Sequence, residues 1–374
     1  MSKAFVPFGD LSLNYMHHRE IIDRALHQVL EKGWFVLGKT LEQFESSFAG
    51  YCGVEYAVGV GSGTEAIHLA LLACGLEPGS EVITVANTCV PTLAAISFAG
   101  GVPVLVDIDP VTHTMDPGRI EERITEKTKA IVPVHLYGQC ADMDSISLIA
   151  VKYDLRVVED CAQAHGAMYK GRMAGSVGDA GCYSFYPSKN LGAYGDAGMV
   201  ICKDPTVANL VRSLRNYGQN RRYVHERKGF NSRLDDVQAA VLLAKLPHLE
   251  TYNTRRREIA HAYTEAFRQL DWLMTPTEGG GRHHVFHLYV VRTDERGPFQ
   301  EYLQTHGIDT LIHYPIPIHR QPAYAECLPQ AKYLSVTDSQ APQLLSLPLY
   351  PEMTGGQVSH VIETIGAWKP MNRG

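Results

Sequence analysis

Tyr183-Ser184-Phe185-Tyr186-Pro187-Ser188-Lys189-Asn190-Leu191-Gly192 is the stretch that decides how this chain reads. Its apolar start reads as a strand, Pro187 stops that strand, and Gly192 relieves the loop behind it. A primary amine is thereby left where a strand ends, the edge at which open α/β sheets bind ligands. Most lysines are solvated surface charges, so Lys189 acquires meaning only from the residues that accompany it.

Two upstream segments supply that company. The first is Ala57-Val58-Gly59-Val60-Gly61-Ser62-Gly63-Thr64, a short apolar strand running into glycines and hydroxyls, followed by the helical pattern Glu65-Ala66-Ile67-His68-Leu69-Ala70-Leu71-Leu72. The free N–H groups and positive dipole end of such a helix favour an anion, and Gly61 and Gly63 let the backbone approach a phosphate. An ordinary glycine turn with a Ser or Thr cap would look the same locally. The second is Leu155-Arg156-Val157-Val158-Glu159-Asp160-Cys161-Ala162-Gln163-Ala164-His165-Gly166, in which an acid ends a strand. A carboxylate there is costly to bury unpaired, so Asp160 wants a cation or a strong donor, unless it merely caps a local turn. A protonated pyridine nitrogen would serve. Phosphate loop, acid and lysine, in that chain order, are the parts a pyridoxal phosphate site requires.

The rest of the chain is that of a layered α/β protein. Apolar strands are expected over 81–86, 102–108, 130–136, 156–160, 181–186 and 198–202, alternating with helical patterns. A helix is expected from Asp235, where Asp235 and Gln238 have capping-box spacing, to Pro247. The 374 residues are long enough for two domains. The pattern change near residue 250 suggests a large cofactor-binding domain over 1–248 and a small C-terminal domain over 249–374. A net charge of -6 and a pI near 6.3 argue against nucleic acid as a general partner. The eight cysteines are scattered singly, mostly in apolar stretches, and read as reduced core residues. Without a bilayer-length apolar run or a signal-peptide layout, the expected protein is soluble and cytoplasmic, with no membrane partner.

Several segments together resemble the DegT/DnrJ/EryC1/StrS family of pyridoxal-phosphate-dependent sugar aminotransferases, and the likeness runs almost end to end. They are Gly33-Trp34-Phe35-Val36-Leu37-Gly38, Ser62-Gly63-Thr64-Glu65-Ala66, Leu136-Tyr137-Gly138-Gln139, Glu159 through Gly166, and Ser184 through Gly198. Arg215-Asn216-Tyr217-Gly218-Gln219, with Asn231-Ser232-Arg233-Leu234-Asp235 and Gln238-Ala239-Ala240, resembles the branch that aminates C3 of a nucleotide-linked keto sugar. The resemblance implies the aspartate aminotransferase-like fold type I: a three-layer large domain, a smaller C-terminal α+β domain, and a homodimer with shared active sites. It implies that Lys189 forms the Schiff base and acts as general base, and that Asp160 pairs with the pyridine nitrogen. Gln163 would rest against the ring or its phenolic oxygen. Ser62, Gly63, Thr64 and Ser184 would hold the phosphate, joined by Asn231 of the partner subunit. L-glutamate would donate the amino group through pyridoxamine phosphate to C3 of a dTDP-3-keto-6-deoxyhexose, in deoxyamino-sugar biosynthesis for O-antigen or another glycan.

Alternatives keep the same chemistry at C4, on another carrier or on a keto-cyclitol. A dehydratase is disfavoured because such relatives typically carry histidine where this chain has Lys189. A regulator that lost the chemistry would show decay of at least one site group. For the sugar, Tyr186, Tyr217, Arg222, His313 and Tyr314 are the expected contacts, with the basic stretch Arg215, Arg221, Arg222, Arg227 and Lys228 suited to a diphosphate or simply to solvent. No metal is expected. His283, His284 and His287 lack an acid or cysteine nearby, and His17-His18 and Arg255 to Arg257 read as solvated helix faces. One departure stands out: relatives often carry an aromatic near the cofactor ring in the segment matching Thr88-Cys89-Val90-Pro91, where this chain has Cys89.

Overall fold

The computed structural model describes residues 5–370; the outermost residues of the two expected domains, 1–4 and 371–374, lie outside the described residues. Helices α1 (Leu11–Lys32) and α2 (Lys39–Cys52) precede β1 (Tyr56–Val60), α3 (Gly63–Ala73), β2 (Glu81–Val85), α4 (Val90–Phe98) and β3 (Val102–Val106). Next come β4 (Thr128–Val132), α5 (Met143–Tyr153), β5 (Arg156–Asp160), the small pair β6 (Met168–Tyr169) and β7 (Arg172–Met173), then β8 (Ala180–Ser184) and β9 (Gly198–Cys202). These are followed by α6 (Pro205–Leu214), the hairpin of β10 (Gln219–Arg221) and β11 (Val224–His225), and α7 (Asp236–Lys245). Beyond them lie α8 (Leu249–Phe267), β12 (Arg282–His283), β13 (Tyr289–Arg292), α9 (Arg296–Thr305), α10 (Ser335–Gln340), β14 (Leu344–Leu347) and α11 (Gly355–Ala367), with short 3-10 turns between elements.

Seven strands form one sheet in the order β1-β9-β8-β5-β4-β2-β3. β9 runs antiparallel to both its neighbours, and the pairs from β8 to β3 are parallel. Strands covered on both faces need continuous apolar runs rather than alternation, which is how these read in the sequence. Successive residues go to opposite faces. Val58, Val132 and Val200 meet Ile67, Leu69 and Val211 on one side, whereas Ile83, Ile131 and Ile201 meet Phe44, Phe48 and Leu242 on the other. The three-layer α/β core is therefore as expected. The strand expected over 130–136 ends at Val132, because Pro133 cannot donate to the ladder and the chain turns through Leu136–Gly138 with Tyr137 at φ 60.

A second core gathers Ile259, Tyr263, Phe267, Tyr289, Phe299, Leu347 and Ile365 around the antiparallel pair β13–β14. Val6 joins it and bridges to Ile308, so the N-terminal segment packs with the C-terminal part of the chain. Three sequence readings need correction here. The capping box at α7 does not form: Asp235 makes no side-chain cap, and Gln238 Oε1 instead accepts from Tyr194 N at 2.8 Å. The arginine run is not a solvated face. Arg256 is buried and donates from Nη1 to the carbonyls of Phe286, His287 and Leu349, and Arg257 pairs with Glu278. His17 is exposed as expected, but His18 packs its ring against His248 with centroids 4.5 Å apart.

Candidate active site

The register of the sheet brings the three motif segments to one edge. Val60, the last residue of β1, and Ser184, the last of β8, both face Gly198 at the start of the antiparallel β9, while Asp160 at the end of β5 pairs with Cys182. All are carboxyl ends of strands, where open α/β sheets form ligand crevices. The approach there is close. A Cβ on Gly63 would stand 2.5 Å from Ser184 Cβ, and one on Gly198 would run into the Ser62 carbonyl. Ser62 caps α3, its hydroxyl accepting from Glu65 N at 3.2 Å, which leaves the N–H groups of Gly63 and Thr64 without a partner from the helix itself.

A cavity of about 390 Å³ lies on this edge. Ser62, Gly63, Thr64, Asp160, Gln163, Ser184 and Lys189 line it together, as do Tyr186, His313 and Tyr314. Sequence reasoning placed all ten at the site. Asp160 is buried; its Oδ1 accepts from Ala162 N at 3.0 Å and its Oδ2 from the Thr92 hydroxyl at 2.9 Å. Burial pushes this carboxyl above its usual value, against the lowering effect of those two donors and of Lys189. A buried carboxylate in that condition calls for a cation facing it. Lys189 is part-exposed as a residue, yet the burial around its amine depresses its pKa, with Asp160 and Cys89 acting in the opposite direction. Depression favours the neutral, nucleophilic amine.

Gln163 is held from both ends. Its Oε1 accepts from Tyr137 N at 2.7 Å and its Nε2 donates to Tyr314 Oη at 3.1 Å, while Tyr137 Oη donates to the His313 carbonyl. Burial raises the Cys89 thiol, against the lowering effect of the neighbouring Tyr314 phenol. The segment at 313–314 thus stands beside the residue that departs from the family pattern. His313 Nδ1 meets Ser346 Oγ at 2.8 Å, and burial with nearby Lys189 holds its pKa down at about 4.

Asn231, Tyr217 and Arg222 do not line this cavity. Asn231 is exposed and bridges to Asn216, Tyr217 is 47% exposed, and Arg222 lies over the ring of Tyr223 in the β10–β11 hairpin. Sequence reasoning did not single out Thr92, His287 or Asp196 as site residues, though all three line the cavity. The Thr88–Thr92 hydroxyl pair, 2.8 Å apart, was not read from the sequence. Nor was the support behind Asp160. Glu159, fully buried, accepts from His135 Nε2 and from the N–H groups of Gly175, Val177 and Gly178. Burial alone would raise this carboxyl, but His135 and those amides hold it below its usual value. His283, His284 and His287 do not converge: His284 stacks on Phe286, and His287 Nδ1 meets Asn190 Oδ1 at 3.0 Å.

This set of residues fits pyridoxal phosphate. A helix N-terminus closed by a glycine that tolerates no Cβ suits the phosphate, a buried carboxylate in want of a cation suits the ring nitrogen, and an amine of lowered pKa suits the aldehyde. Comparison with known proteins agrees. The pattern of the DegT/DnrJ/EryC1/StrS aminotransferase family matches residues 17–366. The chain is 47% identical to a dTDP-3-amino-3,6-dideoxy-alpha-D-galactopyranose transaminase of Aneurinibacillus thermoaerophilus, over 97% of this chain and 99% of that one. It is 45% identical to a pleiotropic regulatory protein of Geobacillus stearothermophilus, over 96% of this chain and 97% of that one. The crystal structure of DesV from Streptomyces venezuelae in complex with a ketimine intermediate superposes with a TM-score of 0.95 at 44% identity, covering 96% of this chain and 97% of that one.

Proposed function

Since the chain belongs to the DegT/DnrJ/EryC1/StrS aminotransferase family, we propose that it moves an amino group from L-glutamate to C3 of a dTDP-linked 3-keto-6-deoxyhexose, giving a 3-amino-3,6-dideoxyhexose and 2-oxoglutarate. The protein is a pyridoxal-phosphate-dependent aminotransferase of fold type I. The observation that carries the reading is the meeting of Lys189, Asp160 and the start of α3 in one cavity. The C3 assignment is supported by the transaminase relative at 47% identity.

When bound, the cofactor supplies a carbonyl carbon that accepts and releases the amino group, and a ring that withdraws electrons from it. The chain's own residues do the rest. Ser62, Gly63, Thr64 and Ser184 hold the phosphate by hydroxyls and helix-end amides. Asp160 keeps the ring nitrogen protonated, since an adjacent buried carboxylate favours the cation. Gln163, fixed between Tyr137 N and Tyr314 Oη, keeps its place beside the ring. Lys189 Nζ, as a neutral amine, would take the proton from the donor's α carbon. In the return half-reaction it delivers a proton to the sugar carbon that carried the ketone. Tyr186, His313 and Tyr314 position the hexose, whereas Tyr217 and Arg222, expected as further sugar contacts, do not line this cavity.

The homodimer is part of the same proposal. Trp34, at 64% exposure, and Phe35 lie beside the Asn231–Asp236 segment, since Val36 bridges to Asp235 and Asp236 N donates to the Phe35 carbonyl. Tyr217, Tyr223 and Phe230 are also exposed. An apolar surface of this kind around Asn231 suits burial against a second copy. The cofactor-binding unit is taken as residues 1–248 and the smaller unit as 249–374, the division falling between α7 and α8, although Val6 crosses to the second core. Among the described residues no helix is long and apolar enough to cross a membrane. We assign a cytoplasmic location on the free state of all eight cysteines.

A second reading, a regulator of the same fold, is favoured by the Geobacillus relative. Against it, Lys189, Asp160, Gln163 and Ser184 all face one cavity. Incubation of the purified protein with glutamate and a panel of 3-keto and 4-keto nucleotide sugars, with products read by mass and NMR, tests the proposal. Amination of the 3-keto dTDP sugar is expected. Turnover confined to 4-keto substrates overturns the C3 assignment, and a protein that binds cofactor without any turnover favours the regulator.

A further inference from the structure

Lys189 borders two cavities. Ser188, Lys189, His287 and His313 line both the cofactor cavity and a second one of about 460 Å³, a volume ordinary for a small-molecule site. The second is walled by the N-terminal segment from Pro7 to Asn14, the end of α7, one face of α8 and the turn at Tyr350–Glu352. Two buried cations in that wall have no carboxylate within ion-pair distance among the described residues. Lys245, 4% exposed, donates to the Gly192 carbonyl at 2.7 Å and lies 5.3 Å from the ring centre of Tyr194. Arg256, 6% exposed, spends Nη1 on three carbonyls, and its Nε is buried without a hydrogen-bond partner among the described residues.

The acids of the same wall are engaged or distant. Asp10 caps α1 through Ser12 N at 2.9 Å and Ser12 Oγ at 2.6 Å, and Asp309 sits at the end that continues onto α9. Glu352 is the acid whose charge reaches both cations, and it accepts from Asn14 Nδ2 at 2.9 Å. Neither buried cation has a carboxylate within ion-pair distance among the described residues, and a buried charge left in that state beside the reactive amine calls for an anion.

We infer that this second cavity receives the carboxylate end of the amino-acid donor, with Lys245 and Arg256 as its positive wall, whereas the keto sugar reaches the same carbon through the cofactor cavity. The inference rests on the reading of the chain as a glutamate-dependent aminotransferase. An enzyme of that kind must bring a small dianion and a bulky sugar nucleotide to one atom in turn. Separate walls meeting at Lys189 satisfy both without either having to fit the other's contacts.

The test uses holoenzyme. Glutarate, a five-carbon dicarboxylate with no amine to transfer, is titrated calorimetrically, and the two half-reactions are followed separately through the visible band of the bound cofactor. For Lys245→Met, loss of one charge-assisted hydrogen bond predicts glutarate and glutamate binding weakened by about tenfold or more. The sugar half-reaction keeps its wild-type rate and affinity, and Lys245→Arg recovers most of the loss. Equal loss in both half-reactions, with a fall in thermal midpoint, would mean that Lys245 only braces the Gly192 loop and would overturn the inference. Unchanged glutarate and glutamate binding overturns it as well. Wild-type enzyme that responds to the amino sugar but not to glutamate instead sinks the donor reading on which the inference stands.

Discussion

Replacement of Asp160 by Asn separates what this carboxylate does for the fold from what it does for the chemistry. Asn has the same shape, and its Oδ1 can keep the 3.0 Å bond from Ala162 N. The amide nitrogen then faces Thr92 Oγ1, which stands 2.9 Å from Oδ2 in the wild type. That hydroxyl can turn to accept, because the Thr88–Thr92 pair can reverse its donor and acceptor roles. The fold therefore loses no hydrogen bond. It also sheds a burden: the folded-state pKa of Asp160 is raised by burial, so the cofactor-free protein carries a cost at neutral pH. That cost is fully present above the folded pKa and disappears as pH falls below the unfolded value of about 4. Cofactor-free Asp160→Asn should thus be as stable as wild type or slightly more so at pH 7, with the difference vanishing in acid. The holoenzyme behaves oppositely. Loss of one partner of a buried charge pair costs about 3–5 kcal/mol, which corresponds to roughly 10²- to 10⁴-fold in the half-reaction with glutamate. Stopped-flow spectra of that half-reaction, beside urea denaturation of the cofactor-free protein, measure both. A half-reaction rate within tenfold of wild type, or a cofactor-free variant destabilised by more than about 2 kcal/mol, would refute the reasoning.

Glu159→Gln should act on the fold first: the amide keeps one accepting oxygen for two of the four donors, and His135 cannot reverse its role at Nε2 because its Nδ1 already accepts from Ala141 N. Two buried donors left facing an NH₂ predict a loss of about 2–5 kcal/mol in denaturant titration. Because the Glu159 carboxyl is held below its usual value, the wild type loses this contribution as pH falls through that lowered pKa, and the variant should show no such acid-dependent loss. Gly63→Ala places a Cβ 2.5 Å from Ser184 Cβ, between two rigid groups, so the phosphate cradle must open. Overpacking of about 1–3 kcal/mol predicts cofactor affinity about tenfold or more weaker, read by equilibrium dialysis.

The parts of this protein that were legible in the sequence are those whose signal is local. The sheet could be read because doubly covered strands such as 102–106 and 198–202 are unbroken apolar runs. Asp160 could be read because it ends such a run, and Lys189 because it follows one past a proline stop. Thr92 could not, because its bond to Asp160 spans two strands and a helix. The capping box at Asp235 was misjudged for the same reason, since Gln238 finds a better use holding Tyr194 N, 44 residues away in the chain. Arg256 was the avoidable miss. Tyr252, Arg256, Ile259 and Tyr263 recur at helical spacing on the buried face of α8, and that period outweighs the charge run in which Arg256 sits. Asn231 is a different case, because its proposed role depends on a second copy, whereas Tyr217 and Arg222 were expected at the sugar and lie off the cavity in the β10–β11 region.

The account turns on a covalent bond from Lys189 to the cofactor. Purified holoenzyme is reduced with borohydride, digested and analysed by tandem mass spectrometry. The account predicts a reduced pyridoxal phosphate adduct on the peptide that carries Lys189, absent from Lys189→Ala; an adduct on a different lysine, or one that survives the substitution, would contradict it.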